Sequence, residues 1–186
     1  MKYFNGIANV NGIVSSIEKA HISIMDRGFL YGDSIYEVLT TTEGIPLFFD
    51  EHWDRFNNSA KLINLDIKIS KEELFFEIKK LFSLDSLPRN IDFYIRYIMS
   101  RGEGDIDLFP DASLESKLII MAKKVRHYPK IFYDEGIKLA IPRIKRNSTN
   151  SLNPNIKGGN YLNNILGLIH SRQLGADDCL MLNESG

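Results

Sequence analysis

The apolar positions of this chain change their period several times, and each change marks a new kind of element. Short apolar runs come first, Tyr3-Phe4 and Ile7 to Val10, punctuated by Asn5-Gly6 and Asn11-Gly12. Asn-Gly pairs supply the positive φ angles that tight hairpin turns need, so this opening predicts antiparallel strands. Ser34 to Thr42 is rich in β-branched and aromatic residues and predicts a strand. Glu43-Gly44-Ile45-Pro46 then turns the chain into Leu47-Phe48-Phe49, which predicts a second hairpin.

A helical period follows. Asp50 is the expected N-cap of a helix running to about Leu62, with Trp53, Phe56, Ala60 and Ile63 on one stripe. Ser70 and Glu73 have capping-box spacing and open a second helix, with Leu74, Ile78, Leu81 and Phe82 facing inward and Pro88-Arg89-Asn90 ending it. Alternation returns from Ile91 to Ser100, and Leu118 to Val125 predicts another strand. Between them, Arg101 to Ser113 carries glycines, a proline and acidic residues and predicts a loop. Beyond a connector at Arg126 to Pro129 come a predicted strand at Ile137 to Ile144 and a polar loop at Lys145 to Asn155. A helix from about Asn160 to Leu174 is stopped by Gly175, and a strand is predicted at Cys179 to Leu182. The pattern is that of an α/β chain with α+β character. Residues 1–125 form an antiparallel sheet with two helices on one side, 126–130 connect, and 131–186 begin a second domain. A turn signal, Glu184-Ser185-Gly186, directly follows the last strand, so the chain reads as interrupted there.

Composition narrows the function classes. With 186 residues, 44% hydrophobic and 25% charged, the chain can bury a core and is not disordered. Lys and Arg total 23 against 24 Asp and Glu, a net charge of -1, which lacks the basic surplus of a general nucleic-acid binder. No apolar run approaches the length of a membrane span, and the first residues lack the apolar core of a signal peptide, so a cytoplasmic protein is expected. Cys179 is the single cysteine, which excludes a disulfide framework. His21, His52, His127 and His170 lack metal-ligand spacing, and no metal site is expected.

Candidate chemistry lies in a few segments. Lys157 stands immediately before Gly158-Gly159 and an apolar helix, where a desolvated amine could act as a nucleophile. Arg55 lies beside the apolar stripe of its helix and could clamp a phosphate through its planar fork. Asp26 to Asp33 is a glycine-punctuated turn. Tyr94 and Arg96 share one face of a strand, where a buried arginine calls for an anionic partner. Taken singly, these residues equally fit a solvated loop lysine, a snorkelling helix arginine and a structural turn.

Taken in order, they resemble the class IV, or fold-type IV, pyridoxal-phosphate aminotransferases, of the branched-chain type. The segments that carry the resemblance begin with Phe4-Asn5-Gly6, Asp26-Arg27-Gly28-Phe29-Leu30-Tyr31-Gly32-Asp33-Ser34-Ile35-Tyr36-Glu37 and Glu51-His52-Trp53-Asp54-Arg55-Phe56. They continue through Tyr94-Ile95-Arg96, Lys157-Gly158-Gly159-Asn160-Tyr161 and Gly175-Ala176-Asp177-Asp178. The resemblance implies pyridoxal 5′-phosphate as cofactor, bound covalently by Lys157, which also moves the substrate proton. It places Arg55 on the cofactor phosphate, Tyr161 at the phenolic oxygen, and Tyr31, Tyr36, Tyr94 and Arg96 around the substrate. The implied reaction passes an amino group from an amino acid, of L-branched-chain type, to a 2-oxo acid, in a homodimer. The family's acid for the pyridinium nitrogen falls past Gly186, and the 186 residues correspond to roughly two-thirds of a member, lacking the C-terminal third.

Two features leave the reaction open. Asn160 follows Lys157 at a spacing closer to the D-amino-acid and lyase subgroups, and Ser100-Arg101-Gly102-Glu103-Gly104 is similar to the lyase. The arginine-histidine pair of the D-amino-acid enzymes is not evident between Gly102 and Phe109. The alternatives are release of pyruvate from aminodeoxychorismate by β-elimination, and a catalytically silent relative.

Overall fold

The computed structural model describes residues 5–82 and 91–186, which separate into two compact units. The first comprises Met1–Arg126 together with Lys157–Gly159, and the second His127–Ile156 with Asn160–Gly186. The Pro88-Arg89-Asn90 stop and the Tyr3-Phe4 run lie outside the described residues.

In the first unit, Asn11 (φ 48°) and Gly12 (φ 85°) turn β1 (Ile7–Val10) into β2 (Ile13–Ser16), the hairpin that the second Asn-Gly pair predicts. Asn5-Gly6 leads directly into β1, and the apolar run before it lies outside the described residues. The glycine-punctuated segment after Asp26 is more than a turn. It closes the five-residue helix α1 (Arg27–Tyr31), with the Asp26 carboxylate accepting from the Gly28 amide at 2.8 Å and Gly32 in the left-handed region at the far end.

Strand β3 (Ser34–Thr42) has the predicted bounds. Its partner β4 is only Ile45–Pro46, because Phe48 (φ 52°) swings the chain out of the sheet and into helix α2 (Phe49–Leu62). Asp50 is therefore not the N-cap. It sits in the first turn, where its charge still favours the helix N-terminus. The buried stripe of α2 is Phe56, Ser59 and Ala60, while Trp53 and Ile63 stay half-buried at its margins. Both halves of the Ser70–Glu73 capping box form and open α3 (Lys71–Leu81), which buries Leu74, Ile78 and Leu81.

Strands β5 (Phe93–Ser100) and β6 (Lys117–Lys124) complete an antiparallel sheet of order β2-β1-β6-β5-β3-β4. Alternation divides its residues between two faces. On one, Phe93, Ile95, Tyr97 and Met99 are buried, Tyr97 meeting Phe56 of α2 edge-on with centroids 5.0 Å apart. On the other stand Tyr94, Arg96 and Ile98, with Val38 opposite Arg96 and Tyr36 opposite Ile98 in the neighbouring strand. Burying each large core side chain contributes about 1.5–3 kcal/mol, so the Phe56, Tyr97, Leu74, Ile78 and Ile120 cluster dominates the stability of this unit.

The second unit departs further from the sequence pattern. A short helix α4 (Lys130–Asp134) was not anticipated, and the strands predicted at 137–144 and 179–182 reduce to β7 (Leu139–Ala140) and β8 (Asp178–Cys179), paired in parallel. Helix α5 (Leu162–Gln173) begins two residues later than expected, with Gly175 (φ 73°) just beyond its end. Cys179, in an apolar run that suggests a core position, is only half-buried. Among the described residues no helix is long and apolar enough to cross a membrane, and no cluster of His, Cys, Asp and Glu could hold a metal ion.

Candidate active site

The outer edge of β3 is completed by two pieces of chain. Strand β4 pairs with Thr41 and Thr42, and the stretch Lys157–Gly159 covers the other end. The Tyr36 amide donates to the Lys157 carbonyl at 2.9 Å, the Gly159 amide donates to the Ser34 carbonyl at 2.8 Å, and Gly158 lies opposite Ile35. The Lys157 amide donates to Ser59 Oγ at 3.1 Å, and that hydroxyl donates to the Arg55 carbonyl at 3.0 Å. The backbone of Lys157 is thus held at both its amide and its carbonyl. The second glycine after it is required by space: a Cβ on Gly159 would lie 2.3 Å from Ser34 Oγ and 3.1 Å from the Gly32 carbonyl oxygen.

From this edge the Lys157 ammonium stands 4.6 Å from the centre of the Tyr36 ring, and the Arg96 guanidinium carbon stands 3.8 Å from the same ring. The anionic partner that Arg96 was expected to need is not found among the described residues. The Tyr36 π face takes its charge instead, and Nε is buried with no hydrogen-bond partner among those residues. Beside this pair the sheet face opposite the helices lines a cavity of about 380 Å³, walled by Phe29, Tyr36, Arg96, Ile98, Ile119 and Met121. Most of the walls are apolar; His21, Ser34, Arg96 and the Asp26–Ser100 pair are polar, the Ser100 hydroxyl donating to the carboxylate at 2.7 Å.

Of the other residues singled out in the sequence, Tyr36 and Arg96 line the cavity, while Tyr31 and Tyr94 are not among its walls. Tyr31 ends α1, its ring 4.9 Å from the Arg27 guanidinium carbon, and Tyr94 lies on the Arg96 face of β5. Tyr161 belongs to the second unit, at the N-cap of α5, and is exposed.

Arg55 is held by a residue that the sequence reading passed over. Glu37, fully buried on the helix-facing side of β3, accepts from Arg55 Nε at 2.5 Å and Nη2 at 2.7 Å. His52 Nδ1 lies 2.8 Å from Glu37 Oε2 and 3.3 Å from Arg55 Nη2. The shorter contact to an obligate acceptor assigns the proton to Nδ1. Burial pushes the Glu37 carboxyl up, but the hydrogen bonds from Arg55, His52 and the Val38 amide outweigh it and hold the group below its ordinary value. Burial and the Glu37 charge push the Tyr97 phenol up, and its hydroxyl lacks a partner among the described residues. A signal for Glu37 did exist: it is the acid between Ile35 and Leu39 on the inward register of an apolar strand.

This architecture is that of the fold-type IV aminotransferases. A solved branched-chain aminotransferase from Escherichia coli superposes with a TM-score of 0.87 at 23% identity, over 98% of this chain and 61% of that one. The branched-chain aminotransferase from the thermophilic archaeon Thermoproteus uzoniensis, solved with norvaline, does so with a TM-score of 0.84 at 25% identity, over 97% and 60%. A Methanocaldococcus jannaschii protein, provisionally named a branched-chain-amino-acid aminotransferase, is 30% identical over 177 residues, 95% of this chain and 59% of its own length. A Listeria monocytogenes D-alanine aminotransferase is 30% identical over 173 residues, 92% and 58%. The chain belongs to the amino-transferase class IV family, which it matches over residues 34–186. It spans about 60% of the length of these relatives.

Proposed function

We propose that the protein transfers an amino group between an amino acid and a 2-oxo acid with pyridoxal 5′-phosphate, and that Lys157 carries the cofactor. The observation that supports this most is the double anchoring of Lys157, through the edge of β3 and through Ser59, which delivers a primary amine to the Tyr36 ring beside an apolar cavity. The residues present suit the cofactor. A phosphorylated aromatic aldehyde calls for an amine to attach it and a cation for its phosphate. Lys157 and Arg55 supply these from a backbone linked through one hydroxyl. When bound, the cofactor contributes reversible carbonyl chemistry with amines.

In this reading Lys157 Nζ would take the proton from the substrate α-carbon and deliver it to the cofactor C4′, Arg55 would bind the phosphate, and Tyr161 would donate to the phenolic oxygen. Tyr36 and Arg96 shape the substrate side, with Tyr31 and Tyr94 around it. The apolar walls favour an aliphatic side chain, and Arg96 offers its cationic edge to a carboxylate. We assign an L-branched-chain amino acid as the donor and a cytoplasmic homodimer as the working form; names of relatives divide between branched-chain and D-alanine enzymes. Borohydride reduction in the presence of pyridoxal 5′-phosphate, followed by intact mass and peptide mapping, tests the assignment. An adduct on Lys157 and 2-oxo acid formation from L-leucine in preference to D-alanine are expected. Absence of any lysine adduct overturns the cofactor reading, and pyruvate release without a 2-oxo acid acceptor would favour β-elimination.

A further inference from the structure

Glu37 is a carboxylate with no solvent exposure, lodged on the apolar, helix-covered face of β3. Burying a carboxylate is costly unless it is paired, and a buried ion pair rarely stabilises a fold more than apolar residues of similar volume would. Helix α2 already packs through Phe56 and Ala60. A purely structural account therefore leaves the carboxylate unexplained.

Its geometry is that of a bracket. Both carboxylate oxygens engage one guanidinium, at Nε and at Nη2, and the His52 ring closes the same carboxylate from one helical turn earlier. The arginine so gripped is nonetheless half outside: its side chain keeps 53% exposure against none for Glu37. A buried anion that fixes the inner side of a fork and lets the head reach the surface sets the direction in which the guanidinium points.

We propose that Glu37, with His52, is a positioning residue that preorganises Arg55 for the phosphate of the cofactor. The inference rests on the functional reading above, in which Arg55 binds that phosphate. Two effects of Glu37 oppose each other. Its negative charge weakens the attraction of Arg55 for a phosphate, but across a partly solvated gap this amounts to a few-fold at most. Fixing a long arginine side chain in advance spares the ordering entropy that binding would otherwise cost, worth up to about tenfold. Preorganisation wins, so removing the carboxylate loosens phosphate binding.

The test separates the phosphate from the rest of the cofactor. Dissociation constants are measured by absorbance titration for pyridoxal 5′-phosphate and for pyridoxal, which lacks the phosphate, and the pyridoxal constant divided by the phosphate-form constant isolates the phosphate contribution. Arg55→Met sets the floor of that ratio. Glu37→Gln is expected to lower the ratio by up to about tenfold while leaving the constant for pyridoxal within about twofold of wild type. His52→Gln lowers it less, and Glu37→Asp falls between wild type and Glu37→Gln. An unchanged ratio in Glu37→Gln, a tighter phosphate contribution, or equal losses for both ligands overturns the proposal. If Glu37→Gln does not fold, Glu37→Asp decides, because a wild-type ratio there is equally fatal. A ratio untouched by Arg55→Met would instead sink the phosphate role of Arg55, and so the reading beneath.

Discussion

The amide of Lys157 donates to the hydroxyl of Ser59, 98 residues earlier, and that hydroxyl donates onward to the carbonyl of Arg55. Ser59 is 1% exposed, so neither bond has water as a ready substitute. One hydroxyl therefore carries the relation between the two cations of the site. Ser59→Ala leaves the Lys157 amide without its acceptor and is expected to cost about 1–3 kcal/mol of stability. It should also weaken retention of pyridoxal 5′-phosphate several-fold. Thermal unfolding and cofactor titration measure the two effects, and a variant that melts as wild type and keeps the cofactor equally well contradicts the linkage.

A methyl group on Gly159 would meet Ser34 Oγ at 2.3 Å, and the Gly32 carbonyl oxygen stands 3.1 Å away. The hydroxyl can rotate, but the carbonyl belongs to backbone. Gly159→Ala should push the Lys157–Gly159 stretch off β3, with a loss of about 1–3 kcal/mol typical of overpacking. Adding Ser34→Ala should recover part of that loss and not all of it. The double-mutant cycle by urea denaturation reads this directly, with full additivity ruling out the clash.

Local rules carried much of the first unit. The Asn11-Gly12 turn, the Ser70–Glu73 capping box and the bounds of β3 are short-range chemistry, and each is found where the sequence places it. The misses share a cause in long-range geometry. Phe48 in a left-handed conformation starts α2 early, which no propensity announces. The strands around 139 and 179 shrink because pairing length is set by partners distant in sequence. At the site, motif order brought Lys157, Arg55, Tyr36 and Arg96 forward. Glu37 stayed hidden because a lone acid in a strand acquires meaning only when a helix sets Arg55 and His52 over it. Among the described residues Arg96 stands over the Tyr36 ring rather than against a carboxylate, a pairing that spacing does not announce.

Arg96 gives a variant in which stability and function part company. Its Nε is buried without a hydrogen-bond partner among the described residues, so the fold gains little from its polarity. Arg96→Leu keeps an apolar contact with Tyr36 and should leave unfolding free energy within about 1 kcal/mol of wild type, or raise it. The proposed substrate role requires amino-group transfer to fall by about tenfold or more in the same variant, the loss expected when a charged hydrogen-bonding partner is removed. Equal activity in Arg96→Leu would remove this residue from the site.

Two arginines that hold the loop from Arg101 to Glu115 meet at one carboxylate oxygen. Asp33 Oδ2 accepts from Arg27 Nε at 3.0 Å and from Arg101 Nε at 2.7 Å. Arg27 in turn donates to the carbonyls of Asp107 and Leu108, and Arg101 to those of Ile63 and Asn64. With Asp33 mostly buried, Asp33→Ala leaves two cations facing each other and should cost about 3–5 kcal/mol. Limited proteolysis should then cut near Ile106 to Phe109, whose apolar side chains are exposed. Protection equal to wild type would show that the carbonyl contacts suffice.

Acid should destabilise the fold through Glu37. Arg55, His52 and the Val38 amide hold its carboxyl below the ordinary value of 4.5 despite the opposing effect of burial. The folded chain therefore gives up this proton more readily than the unfolded chain does. The resulting stabilisation is fully present above about pH 4.5 and is lost as pH falls through the lower folded value. Asp33, likewise pulled down by Arg101 and Arg27 against burial, acts in the same direction. Urea midpoints measured from about pH 7 to about pH 3 should fall steeply below pH 4.5 in the wild type. In Glu37→Gln the starting stability is lower and the descent shallower, because the titrating group is gone while Asp33 remains. Parallel curves for the two proteins would mean that Glu37 titrates alike in both states, and the buried pair with Arg55 would then not exist in solution.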